Sequence, residues 1–368
     1  MDVLFRASTY FLFPFFLSLI IVPFAKVAGF KLNIYAQENQ RTVHSGKIVR
    51  MGGLAIYLAF YISVAIMMSV DQTILGILIG GFIVFIGGLL DDIFNLKPIL
   101  KLLFQIAGAL VAIFYGGISL DFISLPFLYI DTQVVSLFIS FIWIVGVCNA
   151  INLIDGLDGL SGGISCIVLF VIGYIGYLMG RVDIAMISLM LSGAIVGFLP
   201  YNFHPASIFM GDCGALFLGY MIACISLLGF KTSTFITLGF PIIILFVPLA
   251  DTCLAIIRRK LKGQKVSQAD RDHLHHILMI KMGLGHRRTV LTLYFVTVLF
   301  GLSAVVSYTN EPVGLLFLAF LCILAWIFIE LTGMINPKFH PVIGFFRRTI
   351  GFPKKKVDAR FEANKIKD

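Results

Sequence analysis

The chain has 368 residues, of which 59% are hydrophobic and only 13% charged, with a mean hydropathy of +1.00. Soluble domains run nearer about 45–50% apolar and about 25% charged, which excludes a soluble enzyme carrying one anchor and indicates a polytopic membrane protein. The net charge of +9 then reads as positive loops on the cytoplasmic side rather than as a nucleic-acid footprint.

Apolar runs predict about eleven spanning helices, at roughly 3–26, 51–70, 73–90, 98–116, 133–149, 161–179, 183–199, 214–230, 235–257, 289–308 and 313–333. The first run lacks a basic leader and a small-residue cleavage site, so it is expected to stay in the mature protein. The connection Ile118–Ile130 alternates in polarity around Leu125-Pro126 and is expected to form a short external β-hairpin. The architecture expected is an all-α bundle with a cytoplasmic cleft. It comprises one membrane domain over residues 1–335, a His-containing cytoplasmic loop at about 258–288, and a basic cytoplasmic tail over 336–368.

One alternate set of connections holds every Lys and Arg except Arg6, Arg181 and Lys231. The opposite set carries Asp71, Asp121, Asp131, Asp183 and Glu311. The positive-inside rule therefore puts the N-terminus outside and the C-terminus in the cytoplasm. Cys148, Cys166, Cys213, Cys224, Cys253 and Cys322 lie in or beside apolar runs without CxxC spacing. They read as small buried residues, not disulfides or zinc ligands.

Polar residues within the apolar frame fall on the cytoplasmic connections. The loop Arg41–Gly53, RTVHSGKIVRMGG, is basic and ends in two glycines; it is a phosphate clamp holding Lys47, or a topology signal. Asp91 and Asp92 close the run GGLLDD, followed by Lys97 and Lys101. Such a pair suits Mg2+ with a diphosphate, since that ion takes one or two carboxylates plus substrate phosphates. A charged helix terminus at the interface is the plainer alternative.

The stretch Asn149–Gly163, NAINLIDGLDGLSGG, spaces Asn152, Asp155 and Asp158 by three and intersperses glycines. Carboxylates beside apolar runs cost roughly 3 kcal/mol each near a membrane centre, which argues for a use. The spacing is not that of an EF-hand, and no P-loop is present. Asn202–Gly214, NFHPASIFMGDCG, places Asp212 between glycines and offers Phe209 as a flat face for a base. Finally Ala269–His276, ADRDHLHH, sets His273, His275 and His276 with Arg271 in a basic stretch, which suits anion binding better than zinc. Asp251 and Glu330 read as supporting or structural acids, and both readings stay open.

Taken in order, GLLDD with Lys101 nine residues on, NAINLIDGLDGL, FMGDCG and DRDHLHH resemble the polyprenyl-phosphate N-acetylhexosamine-1-phosphate transferase superfamily. The HLHH form is similar to the undecaprenyl-phosphate GlcNAc-1-phosphate branch, more than to the phospho-MurNAc-pentapeptide branch with its consecutive histidines. Ile48-Val49 departs from relatives that place proline before the Arg and glycine pair.

The resemblance implies transfer of GlcNAc-1-phosphate from UDP-GlcNAc to undecaprenyl phosphate, with UMP released, in a bacterial inner (plasma) membrane. Another UDP-N-acetylhexosamine or UDP-MurNAc-pentapeptide is the alternative donor, and a cation-coupled transporter the alternative class. The resemblance implies Mg2+, with Mn2+ as a substitute, a lipid bilayer and no nucleic acid, and admits a homodimer. It implies Asp212 and Asn152 as metal ligands and Asp91, Asp92, Lys101 and His273 as catalytic groups. Asp155, Asp158, Asn202, Phe209, Lys47, Arg271, His275 and His276 would bind nucleotide or substrate. The expected reaction is direct attack on the β-phosphorus beside a lateral apolar groove, with an aspartyl-phosphate route as rival.

Overall fold

A computed structural model describes residues 2–36, 48–120, 123–125, 128–130, 132–230, 239–264 and 273–334. Lys47, Arg271 and the tail 336–368 lie outside the described residues. The helices are α1 Asp2–Lys31, α2 Gly52–Met67, α3 Gln72–Phe94, α4 Pro98–Leu110 (carried on by a π-turn to Tyr115), α5 Gln133–Ile154, α6 Leu160–Leu178 and α7 Val182–Asn202. They continue with α8 Gly211–Phe230, α9 Gly239–Ile244, α10 Phe246–Leu261, α11 Leu274–His276, α12 Gly285–Thr309 and α13 Glu311–Thr332.

Nine of these segments among the described residues are long and apolar enough to cross a membrane. The shorter apolar α2 and the α9–α10 pair complete the eleven expected. In lipid every backbone polar group must be satisfied within the segment, and helices do this. The chain marks helix ends where sequence rules place them. Asp71 Oδ1 accepts from Ile74 N at 2.8 Å, Asn310 Oδ1 accepts from Val313 N at 3.4 Å, Pro98 opens α4, and left-handed Gly333 closes α13.

The expected span 235–257 is two helices, broken at Leu245. Pro248 has no N–H for the carbonyl of Ile244 and its ring crowds that carbonyl, so the helix restarts. The hairpin forms where the alternation indicated, pairing Ile123–Leu125 with Leu128–Ile130 antiparallel, with Ile123 opposite Ile130.

Helix α8 is the axis of the bundle. After Asp212 it carries no charge and is apolar all round, the pattern of a helix enclosed on every side. Helices α2, α3, α5 and α6 pack around it. Gly88 of α3 lets the helix backbones touch, because a Cβ there would meet Cys213 Cα at 2.5 Å. By contrast α1 and α13 leave Phe16, Ile20, Phe24, Leu316 and Phe320 exposed, as a lipid-facing surface requires. The consequence for function is that the C-terminal ends of α3 and α5 and the N-terminal ends of α2, α4 and α8 gather at one face.

Candidate active site

At that face three carboxylates and two cations make direct contact. Lys101, on the second turn of α4, places Nζ 3.1 Å from Asp91 Oδ2 and 2.7 Å from Asp212 Oδ2. Arg50, just before α2, places Nη2 3.0 Å from Asp212 Oδ1 and 3.4 Å from Asp92 Oδ1. Asp212 thus takes one cation on each oxygen.

The two neighbouring acids differ. Asp92 Oδ1 accepts from Asp212 N and Oδ2 from Cys213 N, each at 2.9 Å. It caps α8, whose first N–H groups have no partner within the helix and whose N-terminus favours negative charge. Its side chain is 0% exposed, against 9% for Asp91. Gly211 is needed here, with φ +77° and a would-be Cβ only 2.5 Å from Asp92 Oδ2.

Backbone pairing fixes Arg50. Phe209 N donates to Val49 O at 2.8 Å, Gly52 N to Phe209 O at 2.9 Å and Gly53 N to Met210 O at 2.8 Å. The half-buried Phe209 ring and the Arg50 guanidinium therefore belong to one zipped pair of segments. Burial opposes the charge on Arg50. Asp92, Asp212, Asp155 and Asp91 outweigh that and raise its pKa above the ordinary value.

The loop after α5 forms the next wall. Asp155 ends that helix and accepts from Ser161 Oγ. Loss of hydration pushes its pKa up to about 6 against the hydrogen bond from Ser161, and the Asp212 charge adds to the rise. Asn202 binds the loop from behind, accepting from Gly159 N at 3.0 Å and donating to Ile208 O at 2.9 Å. Asp158 Oδ2 lies 2.8 Å from His204 Nδ1 and accepts from Ala206 N at 3.2 Å. Tyr294 Oη donates to Gly159 O.

Asn152 sits on the last turn of α5 and is half-buried. One turn earlier, Cys148 Sγ lies 3.1 Å from Leu216 O in the antiparallel α8, which sets Asn152 at the level of Asp212.

The histidine segment closes the site. His273 Nδ1 lies 2.9 Å from Asp251 Oδ2, while Asp251 Oδ1 accepts from Leu274 N at 2.8 Å. The buried acid of α10 so starts α11 and orients His273. His275 packs on the glycine loop, where a Cβ at Gly156 would meet its Nε2 at 2.4 Å. Burial drives its pKa down to about 3, helped by His276, so it is neutral. The His275 and His276 ring centroids are 4.3 Å apart.

Of the expected site residues, Asp91, Asp92, Lys101 and Asp212 form one contact cluster. Asp155 lies near enough to feel both Arg50 and Asp212. Asp158 and Asn202 face the protein rather than the opening. Arg50, His204 and His286 carry little outward signal in the sequence, since Arg50 and His286 sit among other basic residues and His204 lies beside Pro205 in an otherwise uncharged turn.

The donor set fits a divalent cation. Asp91 and Asp212 already enclose the Lys101 ammonium, and among the described residues the cations set against Asp91, Asp92, Asp155 and Asp212 are Arg50 and Lys101, a formal excess of two negative charges. Hard oxygens in that balance suit Mg2+.

The model of glycosyl transferase family 4 matches residues 74–230. A probable undecaprenyl-phosphate N-acetylglucosaminyl 1-phosphate transferase of Bacillus subtilis (strain 168) is 41% identical over 337 residues, covering 90% of this chain and 94% of that one. An undecaprenyl-phosphate alpha-N-acetylglucosaminyl 1-phosphate transferase of Haemophilus influenzae is 32% identical over 319 residues, covering 80% and 85%. A phospho-N-acetylmuramoyl-pentapeptide-transferase of Shouchella clausii is 32% identical over 126 residues, 34% of this chain and 37% of its own.

Proposed function

The chain belongs to glycosyl transferase family 4, and from that premise we propose that it transfers GlcNAc-1-phosphate from UDP-GlcNAc to undecaprenyl phosphate. The products are undecaprenyl-diphosphate-GlcNAc and UMP, and the reaction begins a cell-envelope polysaccharide on the cytoplasmic face of a bacterial membrane. The observation that carries this reading is the cluster of Asp91, Asp212, Lys101 and Arg50 where α3, α4 and α8 meet at one membrane face.

Asp212 and the Asn152 amide at its level would hold Mg2+ or Mn2+, which when bound neutralises charge on the donor diphosphate. Lys101 and Arg50 are freed from their carboxylates to grip phosphate oxygens, Arg50 through its planar fork. Phe209 and Asp155 face the nucleotide, while Asp158 and Asn202 hold that wall from behind. His273, oriented by Asp251, and its neighbours His275 and His276 sit on the donor's phosphosugar side.

The acceptor is a phosphate monoester with a second pKa of about 6, so at neutral pH it is mostly a dianion. One of its oxygens attacks the β-phosphorus in line, the bond from that phosphorus to the bridging oxygen breaks, and UMP leaves with the electron pair. Asp91, the less enclosed member of the acid pair, orients the acceptor and takes its last proton when one is present. Such transfer relies on positioning and charge neutralisation more than on covalent help.

The test incubates purified protein with Mg2+, UDP-GlcNAc and undecaprenyl phosphate, with UDP-MurNAc-pentapeptide in a parallel arm. UMP and lipid-linked phosphosugar should appear one for one with UDP-GlcNAc. Absence of UMP with every UDP-N-acetylhexosamine would overturn the reading. Label transferred from the donor's phosphosugar onto protein without lipid would replace direct attack by an aspartyl-phosphate route.

A further inference from the structure

Helix α4 carries two polar side chains, Lys101 and Gln105, four residues apart and so on one face. The opposite side is lipid-facing, with Ile99, Leu100, Leu103 and Leu110 exposed. Lys101 reaches Asp91 and Asp212, whereas Gln105 is buried and meets Asn149 of α5. Asn149 Nδ2 donates to Gln105 Oε1 at 2.6 Å and to Val145 O at 2.8 Å. In return Gln105 Nε2 donates to Asn149 Oδ1 at 3.5 Å. The two amides face each other head to head, one turn along α4 from Lys101 and one turn along α5 from Asn152.

We propose that Gln105 and Asn149 are a positioning pair for phosphoryl transfer: their reciprocal amide contact fixes the register of α4 against α5 and so holds Lys101 at the level of Asn152 and Asp212. The role rests on the transferase reading and adds two residues to it. Among the described residues neither amide bonds Asp91, Asp92 or Asp212, so the pair acts through Lys101 and not on the phosphates.

The rest of the α4 packing does not do this alone. A Cβ at Gly87 of α3 would meet Phe104 Cβ at 2.4 Å, and one at Gly108 would meet Gly80 O at 2.8 Å. Glycine surfaces of this kind let the helices approach closely, whereas directional hydrogen bonds resist a slide along the axis. Between helices in a bilayer an amide pulled from its partner finds no water to replace it, which makes the contact specific for one register. A shift at the amides passes along α4 to the ammonium. Misplacing a reacting group by about 1 Å costs about 10²-fold in rate, and phosphoryl transfer leans on positioning. Packing alone would be served as well by two apolar residues, which need no partners.

The experiment measures UMP release and the thermal unfolding midpoint of full-length protein in detergent, for the unaltered chain, Gln105→Leu and Gln105→Leu/Asn149→Leu. Gln105→Leu should lower kcat with UDP-GlcNAc at least about tenfold, with KM changed less than about threefold because Phe209 and Asp155 still face the nucleotide. It should also lower the midpoint, since Asn149 Oδ1 loses its donor. The double variant should regain the midpoint, both amides having been exchanged for apolar groups, yet stay as slow as Gln105→Leu. A purely structural role would instead return the rate with the stability. The proposal is overturned by a Gln105→Leu kcat within threefold of the unaltered value, or by a double variant that recovers its rate. Failure of the double variant to fold overturns it too, because the amides would then hold the fold together. No UMP from the unaltered protein strikes the transferase reading itself, while a fast Gln105→Leu enzyme strikes this proposal alone.

Discussion

Arg50 is the residue on which the carboxylate cluster turns. It is held between Asp212 and Asp92 by an adjacent backbone pairing, and its charge is maintained by four acids despite burial. If it moves from carboxylate to donor phosphate during turnover, removing the charge removes a preorganised donor. Losses of that kind run to about 10²–10³ in rate. Arg50→Gln should therefore lower kcat/KM for UDP-GlcNAc by about that factor, with Arg50→Lys recovering only part because a point charge lacks the fork. A UMP-release assay giving Arg50→Gln within threefold of the unaltered enzyme would remove Arg50 from the mechanism. The residue was hidden in the sequence for a physical reason. A basic residue in a loop expected on the cytoplasmic side is already explained by the positive-inside rule, so its charge carries no further information. Asp91, Asp92 and Asp212 stood out because acids bordering apolar runs have no such explanation. His286 was masked in the same way, in the basic segment GLGHRR, whereas His204 stood alone beside Pro205 with no charged neighbour to mark it.

At the scale of elements, the double acid divides into two functions that spacing alone could not separate. Both residues lie on the last turn of α3, but only Asp92 points at the start of α8 and satisfies two of its N–H groups. Losing a helix cap costs typically about 1 kcal/mol, and a partly buried Arg50 left short of a counter-charge adds to it. Asp92→Ala should therefore lower the thermal unfolding midpoint as well as the rate. Asp91→Asn should drop the rate by at least about 10² with the midpoint unchanged. Equal loss of stability in both variants would mean that the acids share one structural role. The helices themselves were legible because each is a long apolar run. The break at Leu245 was not, since Pro248 sits three residues beyond it and its effect falls on the carbonyl four residues back. Start positions also shifted: α8 begins at Gly211 instead of about 214, which brings Asp212 inside the first turn, where the helix N-terminus stabilises it. Likewise α12 begins at Gly285 and carries His286, Arg287 and Arg288 on its first turn, against the helix dipole. That unfavourable placement is what delivers His286 to Asp158.

The whole molecule brings together segments far apart in sequence, and the contact between His275 and Gly156 is where the histidine segment meets the glycine loop. The convergence of these segments on one face followed from counting spans and charges; their mutual contacts did not, because they depend on side-chain packing that no periodicity encodes. This contact makes stability depend on pH with a definite sign. His275 has a folded pKa of about 3, well below the ordinary histidine value near 6.5, because it is buried away from water. Between these values the unfolded chain binds a proton that the folded chain does not, so stability falls as pH drops below about 6.5. From pH 7 to pH 5 the loss from this one group is about 2 kcal/mol. Asp155 acts the other way. Its folded pKa of about 6 lies above the ordinary carboxylate range, so protonation near pH 5 relieves a buried charge and adds stability. Over this window the two contributions oppose each other. His275→Gln removes only the first contribution, so the variant should lose less stability than the unaltered protein between pH 7 and pH 5, or gain some. Thermal unfolding midpoints in detergent across that range would read the difference directly. Parallel pH profiles for the two proteins would show that His275 is not buried as a neutral group against Gly156.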